Sequence, residues 1–164
     1  MTEASKGLRG VIAGTTALST VGEEGVGLTY RGYRIAELSE KCSFEEVAYL
    51  LLRGELPTQS ELAKYRRTLA GLRDIPEDLK CVLKQIPATA HPMDVLRTGC
   101  SFLGAIEEEK DPANQLKHCD RILSIFPSLL CFWYKFSHES VTIDTVSEED
   151  SIAGRFLHLL FGSA

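Results

Sequence analysis

The alternation of apolar and polar positions divides this chain into a Gly/Thr/Val-rich opening and a long helical remainder. Residues 7–35, GLRGVIAGTTALSTVGEEGVGLTYRGYRI, disfavour helix and predict two or three short extended segments, with a turn around Gly22–Gly25. From Ile35 onward the pattern is helical. Over residues 43–53, Phe44, Val47, Ala48, Leu51 and Leu52 recur along one helix face. Ser43 followed by Glu46 predicts a reciprocal N-terminal capping box, Gly54 a left-handed stop, and Pro57 a bar to continuation. Thr58 and Glu61 repeat the capping box, and Leu62, Tyr65, Leu69 and Leu72 supply the next apolar stripe.

Pro76 opens a shorter helix carrying Leu79, Val82, Leu83 and Ile86, closed by Pro87. His91-Pro92 opens a fourth, at 92–106, where Gly99, Cys100 and Gly104 form a smooth surface suited to close helix contact. A fifth helix spans 113–136, and Pro127 inside it removes one backbone hydrogen bond and predicts a bend. The polar, acidic stretch 137–150 reads as an exposed loop. Ser151–Phe161 forms a last amphipathic helix with Ile152, Phe156, Leu159 and Leu160 inward. The expectation is one mostly helical unit over 1–164 with short extended segments near its start.

Composition fits that picture: 44% hydrophobic and 25% charged residues are ordinary for a soluble globular chain. A net charge of −5 argues against a nucleic-acid partner held through phosphates. No run approaches the ~18 apolar residues of a membrane span, and the start lacks a signal-peptide core. Five cysteines, never in CxxC spacing, suit reduced thiols packed as small hydrophobes, and predict a cytoplasmic location.

Candidate chemistry is sparse. His91, at a helix start, is either a structural cap or a ligand-contacting base. His118, His138 and His158 match no zinc spacing. Dinucleotide, Walker, nucleophile-elbow and HExxH patterns are all missing. Gly22-Glu23-Glu24-Gly25-Val26-Gly27 is too acidic at its centre to cradle phosphate. Arg31 and Arg34 flank a turn between Tyr30 and Tyr33, either as a surface stack or as a fork for an anion; Arg9 and Arg97 offer further forks. No pair of carboxylates stands out for acid/base work, no metal set can be assembled, and no catalytic residue is assigned.

Four segments in order, GLRGVIAGTTALSTV, TYRGY, FEEVAYLLLRGELPT and ATAHPMDVLRTG, resemble the citrate synthase family, and within it the bacterial 2-methylcitrate synthases. The likeness runs from about Gly7 to Gly162. SIAGRFLHLLFG shares it but carries Phe161 where relatives have histidine. The resemblance implies a piece of a longer, mostly helical protein of two domains that close over an acyl-CoA and oxaloacetate. Such enzymes deprotonate the acyl α-carbon, attack the ketone and hydrolyse the thioester, using an aspartate base and histidines. The histidines lie in motifs resembling EH-x-x-NAS and HG-x-AN, and neither motif occurs here.

The resemblance therefore implies the N-terminal portion of the large helical domain, inactive alone, with the small domain and catalytic half absent. The alternative is a non-catalytic helical module that self-associates, or a fragment completed by a second chain. By the same resemblance Arg9 lies near the CoA phosphates of a neighbouring subunit. Helices 92–106 and 113–136 pair across a two-fold axis in a homo-oligomer. Acyl-CoA is a substrate rather than a cofactor, and acyl-CoA and oxaloacetate bind only if the C-terminal half is supplied. Nothing in these residues separates acetyl-CoA from propionyl-CoA.

Overall fold

The computed structural model describes residues 14–20, 27–145 and 149–162. The expected turn around Gly22–Gly25, and Arg9 with it, lie outside the described residues. The chain divides into two compact units, Met1–Cys42 and Ser43–Ala164.

In the first unit, β1 (Ser19–Thr20), β2 (Thr29–Tyr30) and β3 (Tyr33–Arg34) form an antiparallel sheet in the order β1-β2-β3. Thr20 and Thr29 stand opposite each other and share a hydroxyl hydrogen bond of 2.8 Å, a favourable cross-strand pair. The β2–β3 link is the two-residue turn Arg31-Gly32, both with positive φ (49° and 89°), which matches strand twist in tight hairpins. Helix α1 (Ile35–Lys41) follows and buries Leu38.

The second unit is all-helical: α2 (Phe44–Arg53), α3 (Gln59–Ala70), α4 (Glu77–Leu83), α5 (Pro92–Ile106), α6 (Gln115–Glu139) and α7 (Ile152–Phe161). Both predicted capping boxes form. Ser43 and Glu46 exchange bonds at α2, and Thr58 and Glu61 at α3. Gly54 takes φ 100° at the end of α2, where only glycine sits without strain. Pro76 falls one residue before α4 as its N-cap, and Ser151 caps Gly154 at 3.0 Å to start α7.

Helix α6 is the axis of this unit. Its Ile125, Leu129, Phe132 and Trp133 pack with Ile75, Leu79 and Leu83 around α4 and with Val95 and Leu103 of α5. Pro127 lies inside α6, and the helix continues on both sides of it. It also runs three residues past the expected 136, because Lys135 reaches Glu139 at 2.8 Å one turn on and Ser140 closes it in a left-handed cap. The connection to α7 therefore begins at Ser140, and it is not exposed throughout as expected: Thr145 is buried and Ile143 packs against the core.

Two expected surfaces resolve differently from their sequence appearance. Gly99 is taken up within the chain: a Cβ there would meet Leu129 Cδ1 at 2.8 Å, so glycine is what lets α5 approach α6. Gly104 faces open space instead. On α2, the residues buried deepest are Glu45 and Leu50, while Phe44 remains 51% exposed and Val47, Ala48, Leu51 and Leu52 are only half-buried.

Candidate functional site

The second unit is held by charged side chains in its interior. The first node sits on α6. Asp120, 4% exposed, accepts from Arg53 Nη2 at 2.6 Å and from the Tyr65 hydroxyl at 3.0 Å. The Arg53 guanidinium lies 4.8 Å and 4.5 Å from the ring centres of Tyr49 and Tyr65, a cation over both rings of an edge-to-face pair. Burial pulls the Arg53 pKa down, but the hydrogen bond and charge of Asp120 outweigh it and the net shift is upward. Burial, then the Asp120 charge, push the Tyr65 phenol well above its ordinary range. Neither group is poised to exchange a proton near neutrality.

The second node surrounds the start of α7. The buried carboxylate of Glu45 accepts from the Ile152 amide at 2.8 Å, which places a negative charge on the positive end of a helix. Arg66 approaches the same carboxylate at 3.8 Å. Arg73 donates to the carbonyls of Glu149 (2.6 Å) and Asp150 (3.0 Å), holding the chain just before α7. Arg155, 1% exposed, donates through Nη2 to Ser128 Oγ at 3.0 Å and to the Thr145 carbonyl. Burial, with the nearby Arg73 cation, lowers the Arg155 guanidinium to about 10. These groups hold one another and the backbone.

An open cavity of about 710 Å³ lies where the end of α5 meets the start of α6. Lys110, Asn114, Lys117 and His118 line it beside Glu107 and Glu108. Arg121 forms its floor, with its donors committed to Glu107 (2.8 to 3.1 Å) and to the carbonyls of Leu72 (2.5 Å) and Asp74 (2.9 Å). That arginine ties the α3–α4 connection to α6 rather than offering a fork to a ligand.

The sequence-level candidates are placed as follows. His91 resolves its two readings as a cap: its Nδ1 accepts from the Met93 amide at 3.2 Å. His138 stacks on Tyr134 at 4.5 Å. His158 is exposed in the last turns of α7. Arg97 pairs with Asp94 at 3.1 Å on the exposed face of α5, and Arg34 is the exposed N-cap of α1. Among the described residues no group of three His, Cys, Asp or Glu is arranged to hold a metal ion. No helix among them is long and apolar enough to cross a membrane.

The interior charges were missed by the sequence patterns, though a signal existed. Arg155 falls three residues after Ile152 and four before Leu159, on the inward stripe of α7. Asp120, Ser124 and Ser128 repeat every fourth residue as a buried polar line on α6. A charge on an otherwise apolar stripe predicts an internal partner.

This helical scaffold has close counterparts. The family model described as "citrate synthase, C-terminal domain" matches residues 7–164. The chain belongs to the citrate synthase family. It is 58% identical over 158 residues to a 2-methylcitrate synthase of Shewanella oneidensis, covering 96% of this chain and 42% of that protein. It is 39% identical over 159 residues to one of Mycobacterium tuberculosis, covering 96% of this chain and 40% of the relative. Among solved structures, the citrate synthase of Thermotoga maritima superposes with a TM-score of 0.80 at 30% identity, over 98% of this chain and 42% of that one. The Thermoplasma acidophilum citrate synthase, in a ternary complex with carboxymethyl coenzyme A and oxaloacetate, gives a TM-score of 0.84 at 25% identity, over 98% and 42%. The chain thus spans about 42% of the length of these relatives, and its mostly helical fold is theirs.

Proposed function

We propose that this chain is the N-terminal scaffold portion of a citrate or 2-methylcitrate synthase-like enzyme, and that the 164 residues alone do not condense an acyl-CoA with oxaloacetate. The 58% identity to a 2-methylcitrate synthase, over only 42% of that protein, carries this reading. Its N-terminal place rests on the four ordered segments and on the lack of EH-x-x-NAS and HG-x-AN motifs. The histidines support it too: His91 caps a helix and His138 is stacked on a tyrosine. No resident cofactor is required, since the acyl-CoA is itself consumed. Arg9 is assigned to the CoA phosphates of a neighbouring subunit in the assembled enzyme.

The test is thiol release from acetyl- and propionyl-CoA with oxaloacetate. The purified chain is expected to give none. Co-expressed with the part of the Shewanella oneidensis protein outside the matched 158 residues, it is expected to turn over. Turnover by the chain alone overturns its inactivity, and a soluble but inert pair overturns the scaffold assignment.

Pairing of two copies through α5 and α6 is favoured by the exposure of Met93 (63%) and Ile106 on α5 and of Leu116 on α6. Sedimentation velocity across a concentration series should show a dimer. A monomer throughout counts against the pairing.

A further inference from the structure

We draw no further inference here: the strongest candidate, the open cavity where the end of α5 meets the start of α6, sets Lys110, Lys117 and His118 beside Glu107 and Glu108 over an Arg121 already bound to Glu107 and to the carbonyls of Leu72 and Asp74, and nothing in the structure shows what ligand would fill it.

Discussion

At the scale of single residues, the interior of this protein is decided by a few charges whose partners are far away in sequence. Asp120 serves Arg53 and Tyr65 together, so Asp120→Ala strands a guanidinium over the two tyrosine rings and leaves a buried phenol without its carboxylate partner. That substitution is expected to cost about 2–4 kcal/mol, read as a lower urea midpoint at unchanged slope. Cys131 is buried, donates weakly to the Phe156 carbonyl, and burial raises its thiol to about 11. It should stay unmodified by iodoacetamide in the native state at about pH 8, under conditions that consume Cys81 and Cys119. Native reaction at Cys131 at the rate of those two would show that α7 does not cover it. Glu61 is held below its ordinary value of 4.5 by hydrogen bonds from the Thr58 side chain and backbone. Its folded form binds the proton less readily than the unfolded chain, so its contribution is complete above pH 4.5 and lost as the pH falls through the lowered value. The stability gap between the wild type and Glu61→Gln should therefore close on acidification; a gap that persists down to about pH 2 means the cap does not depend on the charge.

At the scale of elements, helix boundaries follow from local chemistry and helix approach follows from side-chain volume. The paired capping boxes fix the starts of α2 and α3 through side chains three residues apart, so those ends are legible in the sequence itself. The glycines of α5 look alike in sequence and behave differently in the fold. Gly99→Ala forces its Cβ onto Leu129 and is expected to cost about 1–3 kcal/mol, despite the better helix propensity of alanine. Gly104→Ala meets open space and should gain about 0.5 kcal/mol. Thermal melts of the two variants should move in opposite directions. Matching shifts would mean α5 does not pack on α6 through Gly99.

At the scale of the whole molecule, the family and the mostly helical fold can be read from the order of four segments, and the matches to citrate synthases bear both out. Ends set by a neighbouring side chain, such as Ser43, Gly54 and Thr58, are legible because their cause is local. The buried charge contacts are not, because each joins positions that no local pattern connects: Arg53 meets Asp120, and Glu45 meets Ile152. The outward turn of the α2 stripe is equally hidden, since periodicity gives a stripe and not its direction. Of the candidate residues, His91 is legible as a helix cap because its partner, the Met93 amide, is two residues away.

The bond between Glu45 and the Ile152 amide spans 107 residues, which gives it a place in time as well as in space. As the chain leaves the ribosome, α2 and α3 can close on their own caps at once, while Glu45 waits for α7. Until then its carboxylate lacks that amide, while Arg53 can already bond Asp120 and Tyr49 can pack on Tyr65 from the same helix. In hydrogen exchange, Ile152 should open at lower cost than the core amides of Leu129 or Phe132, because its amide depends on a partner 107 residues away while theirs lie inside one long helix.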